Sequence, residues 1–343
     1  MSKHLTGQPN MMKEINKGLI KSALQKLQTA TRVELSAATK ISQPTVNTII
    51  NELMEERVVI ESGMAKSSGG RKAMLYSLNS KIWYTLSVVV EEHELQYAVT
   101  DLDGEVIESD FSKHNADWTV EDLTASIAAI LKRYKEIRAI AIGVPGAVSV
   151  KGVVFAIPKV KCLEGFALKE YLAEKFNVNV SVRNDINTVA LGYYASNMTT
   201  DCEFACVHLG NTLGAGIIIG GNIVSGSGSF AGEIGFMQTS SSIRKGEIQL
   251  RSMTDKEIVL AVSQIMINVI CLVNPAVLAL GGHRLKESMK NELVNNCKKA
   301  LPVEMLPEIL FIEDERKYYM DGLAQIGMNS MNSDIRLIRD TKS

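Results

Sequence analysis

Apolar runs that end in glycine recur along residues 80–343 and alternate with patterns typical of helices. One run occupies 139–144 and leads into a Pro-Gly loop, and another occupies 276–282 and ends in two glycines. Short apolar runs bounded by glycine are typical of buried strands, and their alternation with helices predicts an α/β architecture. Because the pattern fills two successive halves, we expect two lobes with a cleft between them, the C-terminal helix being able to return to the first lobe. The expected lobes are about 80–200 and about 201–343.

Residues 1–79 carry a different pattern and are expected to form a separate domain. Apolar residues at helical spacing over 15–27 predict a first helix, and Thr31-x-x-Glu34 is a capping box that opens a short second helix. After a break at Lys40, Ser42 is a good N-cap for a third helix with an apolar stripe. Two short helices joined by a few residues, the second with a polar outward face, predict a helix-turn-helix.

The outward face of the third helix carries side chains suited to DNA. Amide side chains can pair with an adenine edge in the major groove, and a threonine methyl can contact thymine. The free N–H groups at the start of a helix also suit phosphate. The contacts predicted from this helix are Ser42, Gln43, Pro44, Thr45, Asn47 and Thr48.

A strand, a glycine-rich loop and a second strand follow, and they predict a wing. Gly70, Arg71 and Lys72 are expected to contact the DNA backbone or the minor groove. Residues 1–80 hold 11 lysines and arginines against 6 acidic residues, a balance of +5, whereas the remainder has a balance of −6. This asymmetry favours a phosphate-bearing partner for the N-terminal domain. The alternative left open is a small helical bundle with a polar face and an ordinary hairpin.

Composition and cysteine usage indicate a cytoplasmic protein with no membrane partner. The chain is 46% hydrophobic and 22% charged, which is ordinary for a globular protein. We expect no apolar run of the roughly 18 to 20 residues that span a bilayer, and the first 17 residues lack the apolar stretch of a signal peptide. The five cysteines are scattered and show no zinc-ligand spacing, so they are expected to be reduced thiols.

Five segments occur in order through the second part of the chain, and a sixth lies in the wing. They are IGVPGAV (142–148), RNDINTVALGYY (183–194), HLGNTLGAGIIIGG (208–221), SFAGEIGF (229–236), NPAVLALGG (274–282) and, in the wing, SGGRK (68–72). In these segments the chain resembles the ROK family of sugar kinases and sugar-responsive repressors over essentially its full length. The resemblance implies a winged helix-turn-helix followed by a two-lobed, actin-like and ribonuclease H-like ATPase fold of the ROK sugar-kinase type.

The family's ATP-binding loop is not retained. Its kinases carry Asp-x-Gly-Gly-Thr at this position, whereas this chain has Val89–His93, with glutamates in place of both glycines. Each close pair of like charges costs about 1 to 4 kcal/mol, and side chains block the approach that glycine permits. A second phosphate loop is half kept at 210–214. We therefore expect no ATP cofactor and no enzymatic activity.

The family's structural zinc is also expected to be absent. Its ligands are a histidine after Gly-Glu-Ile-Gly and a cysteine cluster just downstream. Here Phe236 stands in place of the histidine, and residues 237–257 are shorter than the family's segment and contain no cysteine. The expected metal content is none.

Part of the family's sugar-binding set is retained. Asn184 and Asp185 match its Asn-Asp-x-Asn motif, in which the kinases' aspartate is the base for a sugar hydroxyl, and Glu233 matches a sugar-binding glutamate. Gly146 lies in the matching loop after a strand and completes the predicted ligand set. The residues alone leave helix capping open for Asn184-Asp185, and a solvated loop position open for Glu233.

Two of the family's sugar partners are missing, namely the histidine at the Phe236 position and the glutamate after the cysteine cluster. Their loss implies a pocket that is damaged or retuned for another carbohydrate. His208 and His283 are interpreted as structural.

These observations predict a DNA-binding transcriptional regulator, a repressor of carbohydrate genes. It would bind a palindromic operator as a homodimer or a dimer of dimers, and sense a sugar or sugar phosphate. Two alternatives stay open. One is a sugar kinase with a DNA-binding domain, which the retained Asp185 favours. The other is a constitutive DNA-binding dimer with a ligand-free scaffold, which Phe236 and the short zinc segment favour.

Overall fold

The chain folds into two compact units in the computed structural model. We call the unit built mainly from residues up to Tyr84 the head, and the unit formed by Thr85–Thr100 and Val106–Gly327 the body. The structure describes residues 8–65, 72–114, 117–157, 159–199, 201–239 and 246–332.

The described part of the head contains three helices followed by a hairpin. The Thr31 hydroxyl accepts a hydrogen bond from the Glu34 backbone N–H, and the Glu34 carboxylate accepts one from the Thr31 backbone N–H, so the predicted capping box is present. The second helix ends where Lys40 adopts a left-handed conformation. The elements are α1 (Gln8–Leu27), α2 (Arg32–Thr39), α3 (Gln43–Glu55), β1 (Val59–Met64) and β2 (Met74–Leu78).

The head has its own apolar core, into which α3 inserts the stripe that its sequence predicts. Strands β1 and β2 pair antiparallel, and Ala30 exchanges two backbone hydrogen bonds with Tyr76 of β2. The hairpin is thereby tied to the start of α2, which is the arrangement of a winged helix. The largest buried side chains of this core are Ile20, Leu24, Leu35, Ile49, Ile50 and Leu53.

The body contains two five-stranded sheets. Strands of the first sheet are β3 (Tyr84–Val90), β4 (Glu94–Thr100), β5 (Val106–Lys113), β6 (Ile137–Val144) and β9 (Asn179–Asn184). Strands of the second sheet are β10 (Phe204–Leu209), β11 (Leu213–Ile219), β12 (Asn222–Ile223), β13 (Val277–Gly281) and β14 (Glu308–Phe311). A short hairpin is formed by β7 (Ala147–Val148) and β8 (Val154–Phe155), and the helices are α4 (Val120–Arg133), α5 (Leu168–Phe176), α6 (Asp185–Asn197), α7 (Asp255–Val273), α8 (Glu287–Ala300) and α9 (Glu315–Asn332).

The two sheets repeat one topology. The strand orders are β5-β4-β3-β6-β9 and β12-β11-β10-β13-β14. In each sheet an antiparallel three-stranded meander is extended by two further strands, with β6 parallel to β9 and β13 parallel to both β10 and β14. Both sheets thus follow the α/β pattern that the sequence predicts, and the division of the body into two lobes stays a prediction.

Helix α7 is the central helix of the second half. By length and composition it could cross a membrane, with a mean hydropathy of 1.9, although the sequence analysis expects no such segment. Half of that stretch is buried, and its buried side chains pack against β10 and β13. A long apolar helix with such a buried face is typical of the core of a large α/β lobe.

Helices α6 and α9 cross at two glycines. A Cβ at Gly192 would collide with the Tyr318 carbonyl, and one at Gly322 would collide with the Thr188 carbonyl. Further along α9, a Cβ at Gly327 would lie 3.0 Å from the side chain of Thr85 on β3. The C-terminal helix therefore contacts α6 on one side and the first sheet on the other.

Candidate nucleic-acid interface and cleft site

The outward face of α3 presents the predicted DNA-contacting residues. Ser42 occupies the N-cap position, but its hydroxyl lies 2.9 Å from the Thr45 hydroxyl and caps no backbone N–H. Thr48 donates its hydroxyl to the Pro44 carbonyl at 3.1 Å, so this hydroxyl has a partner inside the helix. Gln43, Pro44, Asn47 and Thr48 are exposed.

A basic residue that the sequence analysis missed lies beside this face. Arg32, the first residue of α2, donates from Nη2 to Oδ1 of Asn51 at 2.7 Å and from Nη1 to Oδ1 of Asn47 at 3.4 Å. Its Nε donates to the Tyr76 hydroxyl at 3.0 Å. The signal in the sequence was an arginine directly after the Thr31 N-cap, but its partners depend on how α2 packs against α3.

Only part of the predicted wing can be placed. Lys72 is exposed next to β2. Gly70 and Arg71 lie outside the described residues, so their contacts with DNA stay predictions.

In the body, Asn184 caps α6. Its Oδ1 accepts a hydrogen bond from the Asn187 backbone at 3.0 Å. Its Nδ2 donates to the Gly146 carbonyl at 3.1 Å and to Oδ1 of Asp185 at 2.9 Å. Both amide hydrogens therefore have internal partners, and the geometry supports the capping alternative for this residue.

Gly146 also has a structural role. A Cβ there would lie 2.8 Å from the Ile157 side chain, so the close packing of the loop requires glycine. With its carbonyl occupied by Asn184, its contact with a ligand stays a prediction.

Asp185 is the first residue of α6, and its carboxylate accepts hydrogen bonds there. Oδ1 accepts hydrogen bonds from Asn184 and from the Ile186 backbone, the latter at 2.8 Å. The backbone N–H of Asp185 itself is a further donor to the carboxylate. Burial raises the pKa of Asp185, and the nearby positive charge of His208 opposes this shift in part.

His208 on β10 forms an ion pair that was not expected from the sequence. Its Nδ1 lies 2.8 Å from Oε1 of Glu315, the first residue of α9. Gly281 on β13 is the strand partner of His208 on β10, and a side chain at Gly281 would collide with the Glu315 carboxylate. Burial disfavours the charged ring, but the hydrogen bond and charge of Glu315, together with the charge of Asp185, raise the pKa of His208 overall.

Glu233 is held near Asp185 by a glycine turn. Gly232 has a φ of 96°, and its carbonyl accepts a hydrogen bond from the Ala215 backbone on β11 at 2.7 Å. Burial raises the pKa of Glu233, as do the negative charges of Glu247 and Asp185. Glu247 was missed in the sequence analysis, which counted the family's second glutamate as lost; the structure places this carboxylate beside Glu233.

The position of the family's ATP loop is acidic and closed. Val89 and Val90 are buried at the end of β3, and Glu91 begins the turn that follows. The Tyr319 ring fills the space above Gly143, where a Cβ would collide with it. Burial and the charges of Asp185 and Glu91 raise the pKa of the Tyr319 hydroxyl well above its usual range. These residues do not fit a triphosphate.

The position of the family's zinc ligand is occupied by an aromatic pair. The Phe236 ring lies 5.4 Å from that of Phe230 and is 41% exposed. Across the ranges that the structure describes, no three His, Cys, Asp or Glu side chains are grouped as a metal ion requires. The residues present therefore do not fit zinc, and a zinc-free fold stays a prediction.

Comparison with known proteins finds one matching family model and several relatives. The ROK family model matches residues 85–248. The xylose repressor of Caldicellulosiruptor bescii is 28% identical over 241 residues, which are 67% of this chain and 60% of that protein. The transcriptional dual regulator NagC of Escherichia coli is 26% identical over 68% of this chain and 59% of its own length. The chain thus spans about three fifths of the length of these relatives.

Solved structures share the fold. A ROK family transcriptional regulator homologous to the Escherichia coli Mlc protein matches with a TM-score of 0.74 at 18% identity, covering 93% of this chain and 97% of that one. The ROK hexokinase of Thermus thermophilus matches with a TM-score of 0.60 at 15% identity, covering 72% of this chain and 99% of the hexokinase. These matches confirm the fold class expected from the sequence. The similarity to the ROK family therefore lies in residues 85–248 of the chain.

Proposed function

We propose that this chain is a cytoplasmic transcriptional repressor of carbohydrate genes that binds a palindromic DNA operator as a homodimer. The observation that carries the proposal is the exposed polar face of α3, built into a winged helix that precedes a ROK domain. Its relatives include repressors named for xylose and for N-acetylglucosamine. A single helix-turn-helix reads one half-site, so a symmetric operator requires a twofold protein.

The body acts in this proposal as a sensor without kinase activity. Glu91 takes the place of a glycine in the family's phosphate loop, and Asp185 and Glu315 add negative charge nearby. A coupled assay of ATP turnover over a panel of pentoses, hexoses and N-acetylhexosamines should give background rates. Turnover above background that Asp185→Asn abolishes would establish the sugar-kinase alternative instead.

The cleft favours a neutral sugar over a phosphorylated one. The charges that act on Asp185 are those of His208 and Glu315, and the charges that act on Glu233 are those of Glu247 and Asp185. Around these two residues, negative charges therefore outnumber the single imidazole. Carboxylates accept hydrogen bonds from sugar hydroxyls but repel phosphate, by about 1 to 4 kcal/mol for each close pair.

The experiment that tests this function has two arms. First, the purified chain is used to enrich binding sites from a pool of random duplexes at fixed salt, and a palindromic consensus is expected. Second, the enriched duplex is titrated with protein in the presence of xylose, N-acetylglucosamine and the phosphates of both. A neutral sugar should weaken DNA binding more than its phosphate does. Enrichment without any response to sugars would favour the ligand-free scaffold, and no enrichment would reject DNA recognition.

A further inference from the structure

Arg32 joins the start of α2 to the exposed face of α3. Two of its guanidinium nitrogens donate to carboxamide oxygens on successive turns of α3, at 2.7 Å to Asn51 and at 3.4 Å to Asn47. Both asparagines are exposed, so their remaining amide groups are available to a partner. Residues four apart lie on the same face of a helix, and the two amides therefore form one surface.

The direction of these hydrogen bonds follows from the chemistry of the guanidinium. Arginine has five N–H donors and no acceptor, so only the oxygen of each carboxamide can face it. The amide nitrogens of Asn47 and Asn51 then lie on the opposite side of the group. Arg32 thereby determines which end of each amide is presented outward.

The guanidinium is itself held in place. Its Nε donates to the Tyr76 hydroxyl at 3.0 Å, and its central carbon lies 5.0 Å from the centre of the Tyr76 ring. Tyr76 is 6% exposed and its backbone is paired with Ala30. A guanidinium that is already fixed against an aromatic ring loses little further conformational entropy when a ligand binds. This suits a residue that positions its neighbours.

We propose that Arg32 is a positioning residue that sets the base preference of α3. Resting on the proposed DNA-binding function, it turns the N–H groups of Asn47 and Asn51 toward base acceptors in the major groove, such as guanine O6 and N7 or thymine O4. Two-bond adenine pairing needs the amide oxygen as well as the nitrogen. The adenine pairing expected for Asn47 from the sequence is therefore disfavoured while Arg32 holds its oxygen.

The test is enrichment from random duplexes by the full chain and by Arg32→Ala, Asn51→Ala and their double variant. Arg32→Ala should reduce the preference for the best base at the Asn51 position about tenfold. Because Arg32 acts on this base pair through Asn51, the double variant should discriminate at the Asn51 position no worse than Asn51→Ala alone. Lys26→Ala removes one exposed positive charge from the head outside this network and serves as the control for non-specific affinity.

A second variant distinguishes a positioning role of Arg32 from a role in the stability of the head. Arg32→Lys keeps the positive charge but cannot form the paired hydrogen bonds of the guanidinium. This variant should therefore fold but lose the base preference. Thermal melts followed by circular dichroism identify any variant whose head is unfolded. If Arg32→Ala is unfolded, the base preference of Arg32→Lys decides whether the proposal stands. Unchanged preference in both Arg32 variants, or a loss no greater and no more selective than that of Lys26→Ala, overturns the inference and leaves DNA recognition standing. Absence of enrichment by the unsubstituted chain overturns both.

Discussion

Nδ1 of His208 lies 2.8 Å from Oε1 of Glu315 and links the second sheet to the first turn of α9. The next residue, Arg316, pairs with Glu94 and donates to Oε1 of Gln96 at 2.6 Å, both on β4 of the first sheet. Two consecutive residues of α9 thus contact the two sheets. Because the charge of His208 depends on pH, the strength of one of these two contacts depends on pH as well.

Glu315→Gln should lower the pKa of His208, since the carboxylate is what outweighs the effect of burial. A histidine whose folded pKa is raised contributes stability that is present below its unfolded pKa, about 6.5, and is lost as pH rises through the folded pKa. The free energy of unfolding of the body should therefore fall by about 1 kcal/mol in the variant below pH 6.5. Denaturant titrations at several pH values measure it.

Glu313→Gln is the matched control, because this exposed glutamate precedes α9 by two residues. The difference in free energy of unfolding between this variant and the unsubstituted chain should not change over the same pH range. NMR titration of the imidazole resonances gives the pKa of His208 directly. An unchanged pKa of His208 in Glu315→Gln would show that the 2.8 Å contact between Nδ1 of His208 and Oε1 of Glu315 does not stabilise the protonated ring.

Asp185→Asn should make the body more stable at neutral pH while it weakens sugar binding. Burial raises the pKa of Asp185 in the folded protein. Its ionised form therefore lowers the free energy of unfolding at pH values above this folded pKa. The cost is absent only below the pKa of the unfolded chain, about 3.9. The asparagine can still accept from the Ile186 backbone. Loss of a charged acceptor should weaken sugar binding about 10- to 100-fold, measured by calorimetry.

The exposed Asp201→Asn serves as the control for that variant. It should change neither stability nor sugar affinity. The stability gain of Asp185→Asn should vanish as pH falls below about 4, where the natural carboxyl is itself neutral. A gain that persists at low pH would assign the effect to packing, and undiminished sugar binding would remove Asp185 from the ligand site.

How much the sequence could predict depended on the separation of the interacting residues. The Thr31–Glu34 capping box and the apolar stripe of α3 are local, so the pattern predicted both correctly. The ion pair of His208 with Glu315 joins residues 107 positions apart. It requires the register of β10 with β13 and the absence of a side chain at Gly281, neither of which periodicity contains.

The same limit applies to the other residues that were missed. Arg32 meets Asn51 because α2 and α3 cross at one particular angle, which depends on the packed core of the head. The charge of Glu247 acts on Glu233 through space, which a local sequence pattern does not contain. Asn184 was ambiguous for a different reason: capping and ligand binding favour the same residue type, and only the partners of its amide hydrogens distinguish the two roles.

Gly322→Ala should destabilise the body by about 1 to 3 kcal/mol, because the added methyl group collides with the Thr188 carbonyl at the crossing of α6 and α9. Gly18→Ala is the contrasting variant, since nothing lies within 4 Å of its Cβ position in α1. It should stabilise the head by about 0.5 to 1 kcal/mol through helix propensity.

The two tryptophans allow the two effects to be measured separately. Trp83 packs against the core of the head, and Trp118 is buried in the body. Denaturant titrations followed by fluorescence, in single Trp→Phe backgrounds, report each unit. Destabilisation by Gly18→Ala equal to that of Gly322→Ala would show that the crossing is not the cause.

Gln43→Ala and Lys72→Ala should affect DNA binding in different ways. Gln43 is exposed at the first position of α3 and is placed to contact a base edge, so its loss should cost about 1 to 3 kcal/mol at one base pair and relax the preference there. Lys72 is exposed beside β2 and is placed to contact phosphate. Its loss should weaken binding to all duplexes alike and reduce the slope of log affinity against log salt by about one.

Titrations of both variants on the enriched duplex and on a scrambled one, each at several salt concentrations, separate the two roles. Arg71→Ala belongs in the same series, because its predicted phosphate or minor-groove contact would give the behaviour expected of Lys72. If neither basic variant alters affinity on either duplex, the wing makes no contact with DNA. If Gln43→Ala retains the full preference for the enriched duplex, this residue does not read a base, and discrimination must come from the amides that Arg32 positions.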